Sequence, residues 1–309
     1  MIRYLIAQGL QLLVVLFGVV TITFIVLRLT GDPLAALLPP DASDQQRELL
    51  SRQLGLDQPI PAQYLVFLGQ IVRGDFGRSI VSGIPATSIV LGQMPQSVTL
   101  AALAMVVASV VGVSAGVVAA TNQNRWPDRL VMAAAVAGQA MPVYWLGLLL
   151  IILFAVQLGW LPASGMEGPG ALVLPVATLS VALLPYVMRV TRSTMLDVLR
   201  SDFVRFHRAK GLPTLDIVAR HALKNCLAPV VTLLGLQAGV LMGGVVAIEF
   251  IFGRSGMGSL LIHAIYSRDY PVVQAAVFSI ALVVVGANFL ADVAVAVIDP
   301  RIRLGAAAG

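Results

Sequence analysis

Few side chains in this sequence are of types that make or break bonds, and their spacing argues against catalysis. The three histidines, His207, His221 and His263, are scattered, and no two share a helix at metal-ligand spacing. The single cysteine, Cys226, excludes an intramolecular disulfide and a cysteine-based metal motif. No glycine loop ends in Lys-Ser or Lys-Thr, so no phosphate cradle for ATP is encoded. No Ser/His/Asp grouping or pair of intramembrane aspartates points to a protease. What remains is recognition. Ser201–Lys224 (SDFVRFHRAKGLPTLDIVARHALK) is a basic, glycine-punctuated stretch between two long apolar runs. Ser201 or Asp202 can cap a helix start, and Gly211 with Pro213 stops it, which predicts a short helix over Asp202–Lys210. On a 3.6-residue wheel Phe203, Phe206, His207 and Lys210 share one face. Val204, Arg205, Arg208 and Ala209 lie roughly opposite, so both faces offer something a soluble partner can grip. Thr214 is expected to cap the next helix, with Asp216 in its first turn.

The elements that must position this segment are dictated by composition. The chain is 58% hydrophobic and 11% charged, its mean hydropathy is +0.91, and an ordinary soluble domain carries about 25% charged residues. A soluble protein is therefore excluded. The basic balance, Lys+Arg 20 against Asp+Glu 15, lacks the clustered patch with interleaved aromatics that nucleic acid requires. It is a matter of membrane topology, and no nucleic-acid partner is expected.

A bilayer core takes about 20 apolar residues per helix. Six runs qualify: Tyr4–Leu27, Val98–Ala120, Leu130–Leu158, Leu172–Val190, Cys226–Ile248 and Val272–Ile298. The third carries Pro142, and the fourth, with Pro175 and Pro185, is the weakest apolar signal. The first is longer than a signal-peptide core and is followed by Gly31-Asp32-Pro33 rather than a small-residue cleavage site, so an uncleaved helix is expected.

Orientation follows from the positive-inside rule. With the N-terminus inside, thirteen basic residues fall on inner segments: Arg3, Arg125, Arg129, Arg189, Arg192, Arg200, Arg205, Arg208, Lys210, Arg220, Lys224, Arg301 and Arg303. Six fall on outer segments: Arg47, Arg52, Arg73, Arg78, Arg254 and Arg268; the twentieth, Arg28, closes the first span at its outer end. Both termini and residues 191–224 are thus expected on the cytoplasmic side. Residues 31–97, with candidate helices over Gln45–Leu54 and Pro61–Val72, form an extracytoplasmic elaboration of a single domain, 1–309. Asp292 is the only acid read as lying well inside a span, near its cytoplasmic end.

Several motifs now converge. Arg208-Ala209-Lys210-Gly211, then His221-Ala222-Leu223-Lys224-Asn225 and Pro229-Val230-Val231-Thr232, resembles the peptide-permease version of the cytoplasmic "EAA" loop. That loop belongs to the membrane subunits of binding-protein-dependent ABC importers of the dipeptide/oligopeptide/nickel family. Leu29-Thr30-Gly31-Asp32-Pro33, Leu54-Gly55-Leu56-Asp57-Gln58-Pro59, Gly74-Asp75-Phe76-Gly77-Arg78-Ser79 and Leu158-Gly159-Trp160-Leu161-Pro162 are similar to its outer signatures. Glu249-Phe250-Ile251-Phe252, Gly256-Met257-Gly258, Arg268-Asp269-Tyr270-Pro271 and Asp299-Pro300-Arg301 extend the likeness over nearly the whole chain. Two departures stand out. Phe206-His207 replaces the usual Thr-Ala, and the Ile-x-Leu-Pro ending of the general pattern is absent.

The resemblance implies an all-α polytopic membrane protein with the type I ABC importer permease fold. Its implied partners are a homologous second permease, two ATP-binding subunits that hold ATP and Mg, and an extracytoplasmic solute-binding protein. No cofactor is expected on this chain. Arg205, Phe206, His207, Arg208, Ala209, Lys210 and Gly211 become the ATPase-coupling residues. Gly235, Gly239 and Gly243, at four-residue spacing in span five, become a close-approach face near the translocation path and the second permease. Gly112 and Gly116 are read as packing positions. The implied cargo is a di- or oligopeptide, with nickel chelates and glutathione carried by the same family. A secondary carrier without an ATPase is the alternative from another class, and it needs coupling-ion acids that Asp292 alone supplies poorly.

Overall fold

The computed structural model describes residues 2–30, 38, 42–53, 57–165, 168 and 170–298. The Gly31-Asp32-Pro33 turn, Leu54-Gly55-Leu56 and the Asp299-Pro300-Arg301 end lie outside the described residues. The regular structure is helical: α1 Ile2–Thr30, α2 Asp44–Gln53, α3 Ile60–Val72, α4 Ala86–Thr121, α5 Trp126–Ala140 and α6 Val143–Leu150. After these come α7 Val173–Arg200, α8 Asp202–Ala209, the single turn α9 Thr214–Asp216, α10 Leu223–Ile251, α11 Met257–Tyr266 and α12 Tyr270–Ile298. Widened π-helical turns extend α6 over Ile151–Gln157 and join α9 to α10 over Ile217–Ala222.

Among the described residues four helices are long and apolar enough to cross a membrane: α4, α7, α10 and Tyr270–Val295 of α12. The expected third span is not one kinked helix. Met141 is extended and Pro142 cannot continue a helix, so α5 and α6 meet at 102°. The pair counts at most as a fifth span. In α1, the expected first span, the apolar stretch among the described residues is Leu12–Leu27.

The chain divides into two compact units. One is built on residues 98–254 and 284–298. Its spine is α7, the expected weak span. Half of its most apolar window is buried, against 22–33% for the other three spans, although its mean hydropathy is the lowest at 1.7. The two facts have one cause: a helix surrounded by protein needs less hydrocarbon on its surface than one facing lipid. Small residues let its neighbours approach. A Cβ on Gly112 of α4 would stand 2.8 Å from Val187, and one on Gly116 would stand 2.7 Å from Thr191 Cβ and 2.8 Å from the Met188 carbonyl oxygen. A Cβ on Gly138 of α5 would stand 3.2 Å from Pro185, and one on Gly244 of α10 would stand 3.1 Å from Leu179. Ser180 donates to the Ala104 carbonyl at 3.1 Å.

The other unit is built on residues 6–97 and 255–283. Phe24 of α1 packs on Tyr64 and Phe67 of α3, with centroids 5.2 and 5.4 Å apart. Ser43 and Gln46 close a reciprocal cap on α2. Two of the resembling signatures, almost 200 positions apart in the chain, converge here. The buried carboxylate of Asp269 accepts from the Ser79 hydroxyl and from the Ile80 N–H at 3.1 Å. Phe76 packs on Phe278 at 5.3 Å.

The close approach of α4 to α7 yields a stability prediction. Gly116→Val drives side-chain atoms into the α7 backbone and should cost roughly 1–3 kcal/mol through overpacking. Gly243→Ala meets nothing within 4 Å and should leave stability nearly unchanged. Thermal unfolding of the detergent-solubilised protein checks the pair; equal midpoints would refute the close-packing account.

Candidate functional site

The predicted short helix forms over Asp202–Ala209, and Lys210 is its C-cap. Ser201 occupies the N-cap with an extended backbone, but its hydroxyl caps nothing in α8. It turns back and donates to the Val198 carbonyl at 2.6 Å, closing α7 instead. Thr214 is the first helical residue of α9, and the Pro213 carbonyl accepts from the Ile217 N–H at 3.2 Å.

Gly211 ends α8 in the left-handed region, at φ +77. Its N–H donates to the Arg208 carbonyl at 2.9 Å and the Leu212 N–H to the His207 carbonyl at 3.3 Å. This is the paired pattern of a Schellman stop, which needs a residue without a Cβ penalty at that position.

The two faces of α8 separate sharply. Phe203, Phe206, His207 and Lys210 associate as the wheel predicts: Phe203 and His207 rings lie 4.3 Å apart, and the Lys210 ammonium sits 4.4 Å from the Phe206 ring centre. His207 Nδ1–H donates to the Phe203 carbonyl at 2.8 Å. Both phenylalanines remain exposed, at 43% and 57%. On the other face Val204 is fully buried and anchors the helix. Arg205 pairs with Asp202 at 3.2 Å between two highly exposed side chains, a contact that contributes little in water. Arg208, Ala209 and Gly211 are exposed.

The anchor leads to an apolar cluster of Ala120, Met195, Val218, Ala222 and Cys226, with Leu196, Val198 and Leu199 packed around it. It joins the ends of α4, α7 and the π-helical turn to the start of α10. One interaction here escaped the sequence reading. Arg192 Nε and Nη2 donate to the two oxygens of Asp128 at 2.5 and 2.7 Å, tying α7 to α5 in bidentate geometry. Asp128 is 3% exposed and also accepts from the Asn124 N–H at 2.9 Å. Arg200 reaches Gln123 at 3.4 Å, so the 122–125 turn and the α7–α8 junction share one end of this unit. Asp128 sits next to Arg129 and Arg125 in the sequence, where it reads as part of a solvated cluster. At the opposite end of α7, Arg254, counted as an outer charge, is 6% exposed and donates to the Gly165 and Ala171 carbonyls at 3.0 and 3.3 Å. Nor is Asp292 the only acid in a span: Glu249 of α10 is 1% exposed.

The three spaced glycines of α10 do not share one environment. A Cβ on Gly235 would stand 2.5 Å from Ala291 of α12, one on Gly239 would stand 3.4 Å from Val284, and Gly243 is open. A four-residue repeat drifts around a 3.6-residue helix. Gly243 therefore leaves the α12 contact and lines a cavity with Leu179, Tyr186 and Gln237.

Residues 112–304 match the family described as binding-protein-dependent transport system inner membrane component, and residues 1–101 match its N-terminal region. The chain belongs to this family. It is an ABC importer permease subunit and a multi-pass inner-membrane protein. It is 40% identical over 304 residues to the glutathione transport system permease protein GsiC of Escherichia coli K12, covering 98% of this chain and 99% of that one. The same figures hold for GsiC of Shigella dysenteriae serotype 1. A chain of the MetNI methionine ABC transporter, solved in inward-facing form, matches with a TM-score of 0.58 at 18% identity over 68% of the permease and 96% of that chain. At that identity the likeness concerns the fold, and it is the fold of a type I importer permease. Family membership decides against a secondary carrier.

The buried ion pair makes a separable prediction. Asp128→Ala strands the Arg192 guanidinium, and Arg192 is 24% exposed. We expect a loss of roughly 1–3 kcal/mol, below the cost of breaking a fully buried pair. Arg192→Lys keeps charge but loses the fork and should fall between wild type and Asp128→Ala. Thermal melts of the purified permease that rank the variants otherwise would remove the pair from the α5–α7 contact.

Proposed function

We propose that this permease carries a peptide-class solute, a di- or oligopeptide or glutathione, in a complex with a second permease, two ATP-binding subunits and an extracytoplasmic binding protein. ATP and Mg are held by the ATP-binding subunits and none by this chain. In this reading α1 and the broken α5–α6 pair complete six spans with both termini cytoplasmic. Residues 31–97 receive the binding protein, residues 191–224 receive the ATPases, and 1–309 works as one domain. The GsiC relatives, alike over almost their whole length, support the cargo class. Nickel chelates are the same-family alternative.

One observation carries the coupling role: Val204 is the buried residue of α8, and Phe206, Arg208 and Lys210 are presented outward with His207 half-buried between them. An isolated eight-residue helix is marginal in water. This one is held by its anchor, its stop at Gly211 and the end of α7. ATP-driven closure of the ATPases moves α8, and α7 carries the motion to the spans, shifting the balance between inward- and outward-facing states. The bulk at Phe206-His207, where relatives in the resembling family have smaller residues, calls for a matching groove on the ATPase.

Two outcomes check this reading. Gly211→Val has room for its side chain but forces a left-handed backbone costing about 1–2 kcal/mol, so assembly should persist. ATPase stimulation by loaded binding protein, and uptake in proteoliposomes, should fall together; undiminished stimulation and uptake would place coupling elsewhere. For topology, Cys226 is fully buried and silent to reagents, while Val81 is 69% exposed. Val81→Cys should react with an impermeant thiol reagent from outside intact cells, and labelling only after lysis would invert the scheme.

A further inference from the structure

A cavity of about 260 Å³ opens between α6, α7 and α10. Leu179, Leu183 and Tyr186 line it at the spacing of one helical face of α7, and Gln237, Val240 and Gly244 do the same from α10. Its walls are almost entirely hydrocarbon, and one side is open, since Val240 is 72% exposed. Two lining side chains break the pattern: the Tyr186 phenol and the Gln237 carboxamide. Neither has a hydrogen-bond partner among the described residues. Both side chains are half-buried, so their polar groups stay available to a molecule in the open cavity, and small-molecule sites are commonly apolar clefts with a few polar groups.

The chemistry of the two groups narrows the ligand. A carboxamide offers donor and acceptor side by side, the complement of a peptide bond's C=O and N–H, and the phenol adds a further donor or acceptor. No acid lines the cavity. The exposed Arg189 guanidinium lies 5.5 Å from the Tyr186 ring centre, one helical turn along α7, and places positive charge beside it. A small amide-bearing solute with a free carboxylate fits this set, and a cationic one does not.

We infer that this cavity is the permease's own solute-contacting surface, in which Gln237 and Tyr186 hydrogen-bond the amide groups of a peptide-class solute and Arg189 favours its carboxylate. The inference rests on the cargo class proposed above. It makes Gln237 and Tyr186 specificity-determining residues and assigns α8 no part in selection.

The test uses the complete complex in proteoliposomes with its binding protein, glutathione and trialanine as probes, and uptake and ATPase activity measured side by side. Gln237→Leu should lower uptake of whichever probe the wild type carries by about fivefold, the factor for one neutral hydrogen bond. ATPase stimulation by loaded binding protein should persist, giving hydrolysis without matching transport. Tyr186→Phe, which keeps the ring and the packing, should lower uptake in the same sense. Arg189→Gln should reduce uptake of trialanine more than that of its C-terminal amide. A purely structural role would lower uptake and ATPase stimulation together, and that result overturns the inference, as would unchanged uptake in both Gln237→Leu and Tyr186→Phe; either leaves the peptide cargo standing. If the wild type hydrolyses ATP but takes up neither probe, the cargo class falls and this assignment falls with it.

Discussion

A backbone N–H or C=O in hydrocarbon has no water to bond, so it must be satisfied within the protein. That constraint bears on every place where a spanning helix of this chain is irregular. Its helix break at Met141-Pro142, its internal prolines and its two π-helical turns are the places where the ladder of bonds is interrupted. Pro185 lies inside α7, where it removes one ladder bond, and it is packed by Gly138 of α5. The break at 141–142 leads into α6, where a Cβ on Gly147 would stand within 3.5 Å of Phe252, Thr178 and Ile248. The turn over Ile217–Ala222 is covered by the cluster around Met195 and Cys226. Pro185 and the start of the Ile217–Ala222 turn are thus placed against protein, whereas Met141, Pro142 and the turn over Ile151–Gln157 keep much of their surface exposed on this chain.

The same constraint explains the spine. A helix covered on most sides can afford Thr178, Ser180, Thr191 and two prolines, because neighbours rather than lipid meet them. Glycines on α4, α5 and α10 bring those neighbours within contact distance. The result is a 28-residue rod, about 42 Å long at 1.5 Å per residue. At one end Ala171, just before the rod, is held by Arg254. At the other, Arg192 is held by Asp128 and Ser201 turns the chain into α8. Leu179 to Tyr186 line the cavity between these ends. A packed rod transmits displacement instead of absorbing it, because interiors at crystal-like density deform little. The junction with α8, the ion pair and the cavity are therefore carried on one packed helix.

Charge is used sparingly and at the ends. Asp128 and Arg254 are buried and Arg192 is partly buried, and each is held by hydrogen bonds to carbonyls, carboxylate oxygens or an N–H, which are strengthened in low-dielectric surroundings. The exposed charges of α8 differ in kind. Arg205 and Lys210 make only local contacts on the exposed surface, to Asp202 and to the Phe206 ring.

The sequence by itself determined the membrane class, the helical content, the short helix over Asp202–Ala209 and its stop at Gly211. These follow from local rules: run length, 3.6-residue periodicity, and the freedom of glycine to adopt positive φ. The family resemblance was likewise legible, because its motifs are contiguous. Only the tertiary structure decided which charges are buried. Asp128 and Arg192 are 64 positions apart, Ser79 and Asp269 are 190 apart, and no local pattern distinguishes them from solvated neighbours. It also decided that the least apolar span is the most enclosed, since hydropathy measures fitness for lipid and not for a protein interior. The small-residue stripe on α10 was visible as a stripe, yet its division into a packed Gly235 and an open Gly243 depends on where α12 and α7 lie around that helix. Burial is a property of neighbours, and neighbours distant in sequence are supplied by the fold.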